Sequence, residues 1–319
     1  MSFDITSQIG DKDKPACIFI HGLGMDEATW TDPPRARILG GLFPMTVMLR
    51  GYKELKTLYH EMGQLGFSVF TWSQQRPVGP AEAAVEELRE VVQFARRMGH
   101  PGIILIGHSR GGLIARKFLE ETPAHRIGPS EAEAEGKEDP GSRVNPPVKA
   151  LVTLATPHHG SSMARWAVFF SPVASYLKPL VSDEERGTLA RAVKRSLLFL
   201  ESTGVRELLP DSLFLRPLKD SPAPQGAYCL SAGGTSPSLI SVAGLFSIPD
   251  SLGRLLPARM LPEEMTEGRG DGLVSVESSV LPYGDEHLEF HVNHPGILVD
   301  PAARNAILER ILKVTDSMQ

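Results

Sequence analysis

Six short strand-like runs punctuate the chain and set what it can fold into. They are Ala16–Ile20 (ACIFI), Phe67–Trp72 (FSVFTW), Ile103–Ile106 (IILI), Val148–Ala155 (VKALVTLA), Ala227–Ser231 (AYCLS) and His287–Val292 (HLEFHV). The first is short, continuous and apolar, as suits a strand buried on both faces. Between and after them the period changes. Pro80–Met98 carries Val85, Leu88, Val91, Val92 and Ala95 at helical spacing, with Glu and Arg on the other side and Pro at the start. Gly51–Gly63, Gly112–Glu120 and Ala302–Val314 also read as helices. Strands alternating with helices predict an α/β fold, a doubly wound and mostly parallel sheet. Periodicity leaves the strand order open.

Composition narrows the function classes. The chain has 319 residues, 41% apolar and 22% charged, as in an ordinary globular protein, and a single domain with insertions is expected. A net charge of −5 argues against a nucleic-acid partner. Cys17 and Cys229 both sit inside apolar runs, which predicts two buried free thiols and neither a disulfide nor a metal site. The opening MSFDITSQIGDKDK has no basic start and no apolar core of a leader, so a cytoplasmic location is expected. Met163–Val181 is greasy but holds Arg165, Pro172, Lys178 and Pro179, a poor membrane span.

Three segments break the strand–helix rhythm. Residues 122–147 contain EAEAEGKEDPG and read as a mobile acidic loop. Residues 161–225 and 235–268 are long, apolar in places, and expected to form helical cap or lid insertions. Both leave the chain near the carboxyl ends of strands, where open α/β sheets bind ligands.

The third run ends in Gly107-His108-Ser109-Arg110-Gly111. A serine hydroxyl is a weak nucleophile; it needs a base and a turn that holds it clear of its own strand. The pattern G-x-S-x-G supplies that turn when a strand precedes and a helix follows, and here IILI precedes and GLIARKFLE follows. Ser109 is therefore the candidate nucleophile. Among the ten histidines, His294 stands just past the last strand in VNHPG, where an imidazole can reach back to the serine; His291 is the alternative. His21 and His158 are expected to be structural. The orienting carboxylate should precede the base at a strand-end loop. Asp271, in GRGDGLV, has flanking glycines for a sharp turn; Asp250 and Asp285 are the other candidates. An oxyanion needs two backbone donors. The amide of Arg110, directly after the serine, and that of Leu23, in His21-Gly22-Leu23-Gly24, are the expected pair.

The stretches FIHGLG, IGHSRGG, LVTLATPHHGS, GDGLVSVESS and HVNHPGIL resemble, in this order, the α/β-hydrolase superfamily, and within it bacterial triacylglycerol lipases and esterases. The resemblance implies Ser109 as nucleophile, Asp271 as acid and His294 as base, with Leu23 and Arg110 as oxyanion donors. It gives His158 no chemistry. The chain departs from the family in two places. Arginine follows the nucleophile where many lipases have methionine or glutamine. The stretch after His294, PGILVDP, lacks the ligand set with which some secreted lipases hold calcium, so no metal and no cofactor are expected.

The expected function is a serine carboxylester hydrolase acting through an acyl-enzyme. The apolar residues of the insertions, among them Trp166, Phe169, Phe170, Tyr176, Leu239, Ile240 and Phe246, suit medium or long acyl esters and transient contact with a lipid interface. An acyltransferase would use the same triad, and a lipid-binding protein could use the same fold without chemistry.

Overall fold

The structure is a computed structural model that describes residues 3–38, 43–121, 148–165, 198–219, 221–238, 241–242, 246–247 and 262–316. Seven strands form its main sheet: β1 (Ile5–Gln8), β2 (Ala16–Ile20), β3 (Val69–Trp72), β4 (Ile103–His108), β5 (Val148–Leu154), β6 (Tyr228–Gly234) and β7 (Glu286–Phe290). Their order is β1-β3-β2-β4-β5-β6-β7. Only β1 runs antiparallel, paired with β3; the other pairings are parallel. After β2 the chain steps one way to β3, then returns past β2 to β4. The direction therefore reverses between β2 and β4, and loops at such a reversal diverge to leave a crevice beyond the strand ends.

Every residue of β2 and β4 is buried, because helices cover both faces of the sheet. On one face Cys17, Phe19, Ile104, Ile106 and Val152 pack with Leu58 and Met62 of α1 (Leu58–Gln64) and with Ile307 and Ile311 of α5 (Pro301–Asp316). On the other, Ala16, Ile18, Ile20, Ile103 and Leu105 meet α2 (Ala81–Arg97) and α3 (Arg110–Glu121) through Val85, Leu88, Leu113, Ile114 and Phe118. Neighbours along a strand serve opposite cores, so a one-residue slip of register would exchange the two sets. Both cysteines are buried free thiols, as expected.

Two readings change. The helix expected over 51–63 begins only at Leu58. Gly51 holds φ +101 in a turn, and Thr57 caps the helix in a reciprocal pair with His60 while its hydroxyl donates to the Trp30 carbonyl at 2.6 Å. The capping chemistry outweighed the apolar spacing of Leu55 upstream. Strand β1 went unread, because ITSQ has one apolar residue and is largely exposed at the sheet edge. The acidic 122–147 segment and most of the apolar residues of the two insertions lie outside the described residues.

The turn from β4 into α3 is closed by glycine. A Cβ on Gly111 would lie 2.3 Å from the Ile20 carbonyl oxygen, and one on Gly107 would lie 2.5 Å from Gly112 Cα. Both obstacles are backbone, which cannot swing aside. Gly111→Ala should therefore destabilise the fold by roughly 3 kcal/mol, read as a lower urea midpoint; an unchanged midpoint would contradict this packing.

Candidate active site

Ser109 sits in the one-residue step between β4 and α3 with φ +55. Its amide donates to the Leu154 carbonyl at the end of β5 (2.8 Å), and its carbonyl accepts the Gly112 amide (3.0 Å). Ala155, at the end of β5, is the other non-glycine with positive φ among the described residues. Left-handed backbone at a non-glycine residue costs about 1–3 kcal/mol and persists where the surroundings enforce it. The side chain is thus lifted off the strand at the amino end of a helix, where N–H groups lack intrahelical partners.

The loop after β2 closes over it. A Cβ on Gly22 would approach Ser109 Cβ to 3.1 Å, so glycine there lets the two loops touch. In that loop Gly24 donates to the Pro77 carbonyl (2.9 Å) and Met25 to the Gly22 carbonyl (3.4 Å). Neither the Leu23 amide nor the Arg110 amide donates to a described residue. Both are available to a developing negative charge.

Asp271 and His294 meet in the buried floor beyond β6 and β7. His294 Nδ1 donates to Asp271 Oδ2 at 2.8 Å, and the two side chains are 3% and 1% exposed. The other carboxylate oxygen accepts the amides of Leu273 (3.0 Å) and Val274 (2.8 Å). Gly272, at φ +97, makes the turn that brings those amides round. With the proton on Nδ1, Nε2 is left as the base. The His294 amide also donates to the Asp271 carbonyl (3.0 Å). No hydrogen bond joins Ser109 Oγ to His294 in this arrangement; catalytic contacts of this kind often tighten only around substrate.

One residue missed in the sequence ties the halves together. His108 Nε2 donates to the His294 carbonyl at 3.1 Å, and the two rings lie 4.8 Å apart. His294 is therefore fixed at its amide, its carbonyl and its ring. Burial, then the neighbouring His294, pushes the His108 pKa well below the usual histidine range, so its imidazole is neutral. Adjacency to the nucleophile was the available signal.

The remaining candidates separate cleanly. His291 is 75% exposed beside Glu267 and stands outside the buried pair. Asp285 accepts the Cys229 amide (2.7 Å), a turn role. Asp250 lies outside the described residues. His21 braces its own loop, accepting the Gln74 amide at Nε2 (3.0 Å) and donating to the Gly22 carbonyl (3.0 Å). His158 bonds Thr153 Oγ1 at 3.0 Å. A cleft of roughly 260 Å³ lined by Asp13, Lys14, Leu65 and Pro101 lies at the opposite, amino edge of the sheet and has no part in this constellation. Among the described residues no cluster could hold a metal ion, and no helix is long and apolar enough to cross a membrane.

No family model matches the chain, and no curated protein matches it in sequence. Solved structures do. The mature form of a Bacillus licheniformis lipase aligns over 98% of this chain and 98% of its own, at 18% identity and a TM-score of 0.55. Staphylococcus hyicus lipase aligns over 97% and 99%, at 14% identity and a TM-score of 0.54. The fold is that of the α/β-hydrolases. In this fold the strand-order reversal falls beneath the Leu23 loop and Ser109.

Buried neutral histidines make the fold acid-sensitive. Burial pulls His21 down to about 4, opposed by its bond to the Gly22 carbonyl and assisted by Arg110. The unfolded chain then binds the proton more tightly, so stability is full above pH ~6.5 and is lost as pH falls toward 4. His21 alone accounts for on the order of 3 kcal/mol. Unfolding midpoints measured from pH 7.5 to pH 4 should fall steadily; a flat profile would contradict the neutral assignment.

Proposed function

We propose that the chain is a serine carboxylester hydrolase. The observation that carries the reading is the buried Asp271–His294 pair, whose base is held by its carbonyl to the residue next to a left-handed Ser109. In the proposed cycle Ser109 Oγ attacks the ester carbonyl while His294 Nε2 takes its proton. The carbonyl oxygen, now negative, accepts the amides of Leu23 and Arg110. Collapse breaks the ester C–O bond, and the imidazolium returns the proton to the departing alcohol. Water then repeats the attack on the acyl-enzyme with His294 as base, releasing the acid and restoring Ser109. Asp271 keeps the proton on Nδ1 and offsets the imidazolium charge in both halves.

Two features support this reading. Neutral His108 adds no positive charge beside His294. The apolar make-up of the two insertions supports medium or long acyl chains, with a cap that shields the acyl-enzyme and touches a lipid interface.

Hydrolysis of p-nitrophenyl esters of rising acyl length tests both points. Ser109→Ala should lower kcat by about 10⁴-fold or more, and Asp271→Asn by up to about 10⁴-fold. The wild-type optimum should lie beyond butyrate. Turnover that survives Ser109→Ala would sink the mechanism, and turnover confined to acetyl and butyryl esters would sink the substrate class.

A further inference from the structure

The cycle above uses the Arg110 amide and leaves its side chain without a task. That side chain is the most unusual one around the site. It is 1% exposed. Its Nη1 donates to the Pro77 carbonyl at 3.2 Å, while Nε and Nη2 are buried with no hydrogen-bond partner. Burial lowers its pKa, and the carboxylates of Glu207, Glu82 and Glu87 oppose that without contacting it in an ion pair. An incompletely paired buried guanidinium lowers stability, so its presence at this position calls for a gain elsewhere.

The gain lies in what the Pro77 carbonyl does. That oxygen accepts two donors, Arg110 Nη1 and the Gly24 amide at 2.9 Å. Gly24 directly follows Leu23 and turns the loop with φ +65. The next carbonyl, Val78, accepts the Gly204 amide at 3.0 Å from α4 (Thr203–Glu207). A Cβ on Gly204 would lie 2.4 Å from Leu23 Cδ1 and 2.6 Å from Arg110 Nη1, so Leu23, Arg110 and α4 are in contact. From the same helix both carboxylate oxygens of Glu207 accept the Ala81 amide, at 3.1 and 3.0 Å. The turn from Pro77 to Ala81 thus ties together the Leu23 loop, the nucleophile helix and α4.

We infer that the guanidinium of Arg110 is a positioning residue for the oxyanion site: by pinning the Pro77 carbonyl it fixes Gly24, and with it the Leu23 amide, relative to Ser109. The inference rests on the serine-hydrolase reading and adds a second task to a residue whose amide already serves it. One residue then supplies a donor from its backbone and aligns the opposite donor with its side chain. A methionine would fill the space and leave the second lone pair of Pro77 without a donor. A lysine keeps a charged donor but lacks the planar fork.

The test compares wild type, Ser109→Ala, Arg110→Met and Arg110→Lys as full chains on one p-nitrophenyl ester. It reads kcat, KM, thermal midpoint and the affinity of an alkyl boronic acid, which forms a tetrahedral adduct on the serine. Arg110→Met should keep or raise the midpoint, because a buried charge is removed. It should keep KM within about twofold, lower kcat about ten- to hundredfold and weaken the boronic acid in parallel. Arg110→Lys should recover part of the kcat. A wild-type kcat in Arg110→Met overturns the inference alone, provided Ser109→Ala is inactive. A fall in kcat that tracks a collapsed midpoint, or one matched by an equal rise in KM, also overturns it. If Arg110→Met does not fold, Arg110→Lys decides, since an unaltered kcat and boronic-acid affinity there refute a geometric brace. Turnover that survives Ser109→Ala, or a wild type with neither ester turnover nor boronic-acid binding, removes the hydrolase reading and the inference with it.

Discussion

Strand β4 becomes helix α3 within one residue, and the rest of the structure is arranged around that step. Gly111 lies against the Ile20 carbonyl and Gly107 against Gly112; side chains at these points would hold the helix off the sheet. With them absent, α3 presses onto β2 and β4, and Ser109 joins the two elements in a left-handed backbone conformation. The amide of the strained residue is anchored on the neighbouring strand through Leu154. The flanking strands therefore hold the turn rigid, and a hydroxyl on it has a fixed position.

Around this fixed point the polar groups are supplied from far along the chain. Asp271 and His294 come from loops beyond β6 and β7 and are joined by side-chain and backbone bonds. Burial keeps His108 neutral, and its Nε2–H donates to the His294 carbonyl. An imidazolium at position 294 would then face one carboxylate and one uncharged ring.

Much of this was legible in the residues. Each of the six runs contains or overlaps a strand; inner strands such as β2 and β4, buried on both faces, leave no polar alternation to confuse them, whereas the edge strand β7 is only partly buried. The G-x-S-x-G turn and the glycine-flanked Asp271 were readable for a related reason: close backbone approach excludes side chains, and glycine records that exclusion locally. Long-range matters left no such trace. Strand order depends on pairing across the fold. Strand β1 is held by β3 and not by its own pattern. The late start of α1 is set by Thr57 reaching Trp30, 27 residues away. The His108 and Arg110 side chains are polar residues whose partners, the carbonyls of His294 and Pro77, carry no signature in the sequence.

The bond from His108 to the His294 carbonyl spans 186 residues. During synthesis a chain emerges from its amino end, and contacts between distant segments form last because their loops are the costliest to close. Strands β2 to β5 and the Ser109 turn precede residue 155, and His294 follows residue 290. The half that bears Ser109 can collapse around its own sheet well before His294 has been made. Under the proposed chemistry a nascent chain would thus carry an idle serine until its last strand and helix dock, and the onset of ester turnover would mark completion of the fold.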